Sequence, residues 1–322
     1  MSNTVEKILL AAPRGYCAGV DRAVQTVERA LELHGPPVYV RREIVHNKHV
    51  VAQLRARGAM FVEEATDVPE GAVTVFSAHG VAPAVRTAAQ ERGLRTIDAT
   101  CPLVTKVHVE ARRFVEQGYT VVLVGHAGHE EVEGTMGEAP GRIVLVQNED
   151  DVARLEVPDP ERVAYTTQTT LSVDETATLV ARLRERFPQI ASPRTEDICY
   201  ATTNRQAAVK QMAPHCDLVL VIGSRNSSNS LRLVEVSREC GVEAHLVDNS
   251  GEVREEWLAG QRVVGVTSGA SAPDELVREL LDYFRARGVR DEDISEYHVI
   301  SEDVRFMLPK PIREAVAAGG AA

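Results

Sequence analysis

Three cysteines, Cys17, Cys101 and Cys199, each stand where an apolar run meets a segment with helical spacing of apolar residues. The runs, residues 7–12, 95–99 and 194–198, read as strands. Ligands of open α/β sheets bind outside the carboxyl ends of strands. A chain that makes this junction three times is therefore constrained to alternating strands and helices, with a thiol at three strand ends. Thiols that meet at one point would hold a metal or cluster and leave one coordination position open for chemistry.

The 322 residues suffice for two or three domains with a sizeable core. No apolar run approaches the roughly 20 residues of a membrane span. Residues 1–7 are polar and lack a signal-peptide core, so the expectation is a cytoplasmic protein. A net charge of −11 argues against nonspecific nucleic-acid binding. Five cysteines, an odd number, argue against a disulfide framework, and Cys216 and Cys240 read as buried, inert thiols.

Four strand candidates recur in each third of the chain: 8–12, 38–42, 60–62 and 72–77; 96–99, 120–125, 142–147 and 162–167; 195–198, 218–223, 243–248 and 261–268. Polar motifs recur in register with them. His46, His129 and Ser227 follow the three cysteines by 29, 28 and 28 residues, and His79, Thr169 and Ser271 follow by 62, 68 and 72. Regular βαβ lengths would repeat the strands alone, not the chemistry at their ends. The expected fold is α/β, with three similar lobes of small, mostly parallel sheets in a pseudo-threefold arrangement about one central site. The lobes span 1–94 (Cys17, His46, His79), 95–193 (Cys101, His129, Glu131, Thr169) and 194–290 (Cys199, Ser227, Asn229, Ser271). A C-terminal extension, 291–322, packs on the first lobe, with a strand at 296–300 and a frayed end at 315–322.

The thiols lie 84 and 98 residues apart, unlike zinc sites that draw two ligands from one short motif. Thiolate ligation leaves zinc or an iron–sulfur cluster open; the plainer reading is three buried cysteines. Glycines flank Cys17, letting backbone approach a bulky group, and Pro102 occupies a first helical position after Cys101.

The second and third motifs suit an anion. The turn 223–230 holds four serines and two asparagines between a strand and a helix, where backbone N–H groups bind phosphate. Ser271 could serve only as a helix cap. His46, His79 and His129, as imidazolium, could surround a diphosphate; His49 and His126 read as structural. Reduction that expels water needs a proton donor, and Glu130, Glu131 and Glu133 each offer one; spacing does not choose among them. No P-loop or G-x-G-x-x-G supports nucleotide binding.

These residues carry a resemblance. The segments 13–20 (PRGYCAGV), 45–48 (VHNK), 76–81 (FSAHGV), 98–102 (DATCP), 125–129 (GHAGH), 131–135 (EVEGT), 167–172 (TQTTLS) and 226–230 (NSSNS) are similar to those of the 4-hydroxy-3-methylbut-2-enyl diphosphate reductase family, over about residues 8–310. The resemblance implies a cloverleaf fold around one [4Fe–4S] cluster per chain, with Cys17, Cys101 and Cys199 on three irons and the substrate hydroxyl on the fourth. It implies that His46, His79, His129, Ser227, Ser228, Asn229 and Ser271 hold the diphosphate, that Glu131 relays protons and that Thr169 contacts the hydroxyl end. The family commonly carries proline where Glu130 stands, and register assigns the acid to Glu131. The implied reaction is a reductive dehydroxylation yielding isopentenyl and dimethylallyl diphosphate, the last step of the non-mevalonate pathway.

With no flavin or NAD module in the chain, electrons must come from a separate protein, ferredoxin or flavodoxin. Such acidic donors need a basic face, for which Arg14, Arg22, Arg41 and Arg42 are candidates. The rival readings are a three-cysteine cluster enzyme of the diphthamide-synthesis type and a redox sensor; neither needs a diphosphate pocket.

Overall fold

The computed structural model describes residues 5–319. In chain order the first half runs β1 (Lys7–Ala12), α1 (Ala18–His34), β2 (Val38–Arg41), α2 (Lys48–Ala56), β3 (Ala59–Val62), β4 (Val73–Phe76), α3 (Pro83–Glu91), β5 (Arg95–Asp98), α4 (Pro102–Glu116), β6 (Thr120–Val124), α5 (Glu130–Gly137) and β7 (Ile143–Val146). The second half runs α6 (Glu149–Arg154), β8 (Val163–Thr167), α7 (Val173–Arg186), α8 (Tyr200–Met212), β9 (Leu218–Ile222), α9 (Ser228–Glu239), β10 (Glu243–Val247), α10 (Glu255–Leu258), β11 (Val263–Ser268), α11 (Asp274–Arg285), β12 (Ile294–His298) and α12 (Lys310–Gly319). Two compact units divide these elements. One comprises 5–18, His46–Val50 and Tyr200–Arg305; the other comprises Gly19–Val45, Val51–Cys199 and 306–319.

The first unit holds a five-stranded parallel sheet, β10-β9-β11-β1-β12. Alternate residues of one strand serve opposite cores, as the two-residue period requires. Ile8 and Leu10 of β1 pack with Leu276, Leu280 and Phe284 of α11. Leu9 and Ala11 pack with Val209 and Met212 of α8 and Leu233 of α9. Burial on both faces explains why β9 reads as an unbroken apolar run, Leu218 to Ile222, each residue 0% exposed.

The second unit holds two parallel sheets, β3-β2-β4-β5 and β7-β6-β8. In the latter, Val122 and Val124 meet Leu179 and Leu183 of α7, while Val121 and Leu123 meet Phe114 of α4 and Val132 of α5.

The three sheets share one strand order. In each, the chain lays down a central strand, adds a second on one flank, then returns to place a third on the other: β3-β2-β4, β7-β6-β8 and β10-β9-β11. The run leading into a cysteine joins beyond the third strand. Accordingly β5 pairs with β4, and β1 pairs with β11. Sequence reading grouped the strand at 8–12 with those at 38–77, and the strand at 96–99 with those that follow it. Both groupings are corrected here, because apolar alternation marks a strand without naming its hydrogen-bond partner.

The run 194–198 is not a strand. Among the described residues the bridge near it joins Ala164 to Ala191, and side chains of α4 take up its backbone instead. Lys106 Nζ donates to the Thr195 and Glu196 carbonyls at 2.6 and 2.8 Å, and Glu110 Oε1 accepts from the Arg194 N–H at 3.1 Å. The C-terminal strand is at Ile294–His298, two residues before the expected one, and pairs with β1. Residues 315–319, expected to fray, continue α12; the rest of that expected tail, 320–322, lies outside the described residues, as do 1–4 of the polar N-terminus. No helix among the described residues is long and apolar enough to cross a membrane.

Candidate functional site

A sheet built centre, flank, opposite flank has a switch point between its first and third strands, and the loops leaving those two strands diverge there to leave a crevice. The polar motifs occupy these loops. His46 follows β2 and His79 follows β4. His129 follows β6 and Thr169 follows β8. Ser227 follows β9 and Ser271 follows β11. The register seen in the sequence is thus the register of three switch points.

In the first unit, the segment after β11 collects the motifs. The Ser268 and Ala270 carbonyls accept from the N–H groups of Gly15 and Cys17, at 3.4 and 3.2 Å. Asn229 Oδ1 accepts from Ala270 N–H at 2.8 Å, and Ser271 Oγ donates to the His46 carbonyl at 2.9 Å. Ser271 does not cap a helix: Pro273 holds the N-cap position of α11. Asn226 Nδ2 lies 3.5 Å from His46 Nδ1. The next residues are anchored as well, since Lys48 N–H donates to Ser224 Oγ at 3.1 Å and Ser224 Oγ donates to Asp248 at 2.6 Å.

Ser227 caps α9. Its Oγ accepts from Ser230 N–H at 3.3 Å and from Ser230 Oγ at 3.0 Å, leaving its own proton to be donated. Ser228 opens the helix, so this end offers hydroxyls and backbone N–H groups together. Asn229 is bonded within the fold at both ends, its Nδ2 lying 3.4 Å from Thr202 Oγ1, and that nitrogen carries a second N–H.

Cys17 sits immediately before α1. The Ala18 N–H donates to the Tyr200 hydroxyl at 3.0 Å, and burial pushes that phenol up to about 12. Arg205, 0% exposed, braces the same loop by donating to Gly15 O at 2.7 Å and to Glu302 Oε1 at 3.0 Å. Sequence reasoning missed Arg205; a charged residue on the apolar face of α8 was the available signal.

In the second unit, Cys101 is the N-cap of α4. Its N–H donates to Ala78 O at 2.9 Å, and its side chain makes no capping bond. Arg22 steadies this approach by donating to Thr100 O at 3.0 Å; burial lowers its pKa, opposed by Asp98 and Cys101. Cys199, directly before α8, donates its N–H to Thr169 O at 3.1 Å. Asp197, two residues earlier and also missed, fixes this loop. Its buried carboxylate accepts from Thr166 Oγ1 at 2.8 Å, Thr167 N–H at 3.0 Å and Lys106 Nζ at 2.9 Å, and burial raises its pKa despite those donors.

The three glutamates of α5 separate by partner. Glu133 faces out to Arg42 at 2.7 Å. Glu130 Oε2 lies 3.4 Å from both His79 Nδ1 and Ser77 Oγ. Glu131, 2% exposed, turns inward, where its Oε1 accepts from Thr169 N–H at 2.6 Å and its Oε2 from Thr169 Oγ1 at 3.0 Å.

His129 caps α5, its Nδ1 accepting from Glu131 N–H at 3.1 Å. With Nδ1 facing that N–H, the ring's donor to a ligand is Nε2–H. His79 and His129 meet edge to face, with centroids 5.9 Å apart.

Of the remaining candidates, Cys216 is buried and its thiol is pushed up to about 12, whereas Cys240 is only half-buried. Arg14, Arg22, Arg41 and Arg42 form no free basic face. Arg14 pairs with Glu296, Arg41 with Glu64 and Arg42 with Glu133, while Arg22 binds backbone carbonyls.

Parallel sheets of one repeated order, with hydroxyl- and imidazole-bearing loops at their switch points and a cysteine directly before each of three helices, define an α/β protein of three small sheets. Relatives specify it further. Proteins named 4-hydroxy-3-methylbut-2-enyl diphosphate reductase from Mycobacterium ulcerans and Nocardia farcinica are 60% and 59% identical over 313 residues, covering 97% of this chain and 94% and 93% of theirs. The solved structure of the E-1-hydroxy-2-methyl-but-2-enyl-4-diphosphate reductase from Plasmodium falciparum is 38% identical, with a TM-score of 0.92, covering 98% of this chain and 99% of that one. The model of the LytB protein family matches residues 8–285, and the chain belongs to that family.

Proposed function

We propose that this protein is a 4-hydroxy-3-methylbut-2-enyl diphosphate reductase, the terminal enzyme of the non-mevalonate isoprenoid pathway. The observation that carries the reading is Glu131: a buried carboxylate bonded twice to Thr169, whose carbonyl in turn accepts from Cys199 N–H. Acid, hydroxyl and thiol-bearing residue thus form one chain, in a protein about 60% identical to proteins of that name.

The donor set fits an iron–sulfur cluster. Cys17, Cys101 and Cys199 each directly precede a helix, whose N-terminal N–H groups and dipole favour negative charge. They would hold three irons of one [4Fe–4S] cluster, leaving the fourth iron without a protein thiolate. When bound, that cluster supplies electrons one at a time and a Lewis-acidic iron. On this reading the thirds 1–94, 95–193 and 194–290 each bring one thiol and their own polar motifs to the site.

The chain's own residues bind and protonate. His46, His79, His129, Ser227, Ser228, Asn229 and Ser271 hold the diphosphate. His129 donates through Nε2–H, and the α9 N-terminus adds backbone N–H groups. The allylic C–O bond breaks, two electrons and two protons enter, and water leaves. On this reading Thr169 Oγ1, bonded to Glu131 Oε2, would relay a proton from Glu131 to the alcohol. Once protonated, Glu131 donates to Thr169 Oγ1, and the Thr169 proton passes to the departing hydroxyl. Electrons come from a separate acidic donor, ferredoxin or flavodoxin, in the cytoplasm.

Anaerobic purification, iron counting and assay of the allylic alcohol diphosphate with a reduced viologen test the reading. About four irons per chain with isopentenyl and dimethylallyl diphosphate as products are expected. A full cluster without turnover would remove the reductase assignment, and absence of iron after reconstitution would remove the cluster.

A further inference from the structure

We infer that His108 is a positioning residue: its imidazole, wedged against the backbones of Gly80 and Gly134, sets how the N-terminal turn of α5 seats on the His79 turn. This rests on the reductase reading of His79, His129 and Glu131.

His108 lies on α4 and is 4% exposed. Its Nδ1 is 2.7 Å from Glu138 Oε1, and Glu138 Oε2 accepts from Arg112 at 2.6 Å. Burial raises the Glu138 pKa, but the bonds from His108 and Arg112 outweigh it and leave the carboxyl below its ordinary range. A carboxylate at Nδ1 fixes the proton there and clamps the ring plane.

The other nitrogen, Nε2, is buried with no hydrogen-bond partner among the described residues. It faces two glycines. A Cβ added to Gly80 would lie 3.1 Å from the ring Cε1 and 3.3 Å from Nε2; one added to Gly134 would lie 3.2 and 3.3 Å from the same atoms and 3.5 Å from the Gly80 carbonyl carbon. Both backbones therefore pack closely on the ring: a side chain at Gly134 would have to push it by a few tenths of an ångström, and Gly80, at φ 82°, also has the left-handed backbone that favours glycine.

The catalytic geometry hangs on this contact. Gly80 directly follows His79, and Gly134 is one helical turn from Glu131 and Glu130. Glu130 Oε2 reaches Ser77 and His79 at 3.4 Å across the same segments. Tight packing at Gly80, Gly134 and His108 adds a rigid contact that holds His79 in place relative to His129 and Glu131. A displacement of about 1 Å in such an arrangement costs on the order of 10²-fold in rate, so the few tenths of an ångström needed here set a smaller loss, about tenfold.

The test uses Gly134→Ala, His108→Ala and the double variant in the cluster-loaded protein. Alanine within a helix is intrinsically favoured over glycine, so Gly134→Ala should keep its melting midpoint and iron content. It should nevertheless lose at least about tenfold in kcat with KM within about threefold, because orientation rather than binding is disturbed. The double variant should lose no more than His108→Ala alone, since the clash requires the ring. Independently of turnover, the imidazole proton resonances of His79 and His129 should shift in Gly134→Ala, with His245 of the other unit unmoved. Wild-type kcat and unmoved resonances in Gly134→Ala, or additive losses in the double variant, would overturn the inference. If the wild-type protein shows no reductase turnover, the reductase reading fails. The resonances then decide the seating alone: displaced supports it, undisplaced overturns it.

Discussion

Thr169 gives both of its hydrogen-bond donors to Glu131, the backbone N–H to one oxygen and the hydroxyl to the other. Two donors on one carboxylate fix its plane, so the acid cannot turn without losing the strand-end loop. Removing the titratable group while keeping its shape separates these roles. Glu131→Gln is expected to keep iron and substrate binding and to lose at least about 10²-fold in turnover. Thr169→Val keeps the backbone bond and should lose less, while Thr169→Ser should approach wild type. Steady-state assays with a reduced viologen rank the three, and near-normal turnover of Glu131→Gln would take the acid out of the mechanism.

Cysteine substitutions should split by position. Cys101→Ser is expected to lose the cluster. Cys216→Ser replaces a thiol 9% exposed in the core behind α8 and should keep it. Iron counts on anaerobically reconstituted protein check both, and full iron in Cys101→Ser would contradict its assignment.

Arg205 stands at 0% exposure between Gly15 O and Glu302. Arg205→Met strands a carbonyl and a carboxylate together, a loss of about 3–5 kcal/mol by analogy with broken buried pairs. The Cys17 loop should loosen first, so iron retention should fall at temperatures where the fold still holds. Parallel melts of fold and cluster absorbance would show the two midpoints separating; coincident midpoints would argue against a local role.

Acid stability should depend on Glu138. Its folded pKa lies below the ordinary 4.5, so its stabilisation is present above that value and is lost as pH falls through the folded pKa. Glu138→Gln removes this dependence. Thermal midpoints between about pH 5 and 3 should fall less steeply in the variant than in the wild type; equal slopes would refute the assignment.

Much of this was legible in the residues. The apolar runs located the strands of all three sheets, and the spacing of His46, His129 and Ser227 from the cysteines marked equivalent loops. What stayed hidden was pairing, in strands and in side chains. Nothing in Lys7–Ala12 says that it hydrogen-bonds to Val263–Ser268, more than 250 residues away, because alternation reports burial and not partner. The run 194–198 had strand-like composition, but Lys106 and Glu110 bind its backbone, and a side-chain substitute for a ladder leaves no periodicity. His129 was expected with His46 and His79 as an anion ligand; only the folded turn shows its Nδ1 accepting from Glu131 N–H.

The place of β1 has a consequence for how the chain is made. The strand leading to Cys17 lies between β11 and β12, so its partners are Val263–Ser268 and Ile294–His298. A ribosome adding about 5–20 residues per second reaches those partners tens of seconds after β1 has emerged. Until then an apolar strand with two unpaired edges waits beside the Cys17 thiol. The nascent protein therefore has a long window in which β1 can pair with another chain or Cys17 can oxidise, and its yield in the cell should depend on chaperones that cover this first strand.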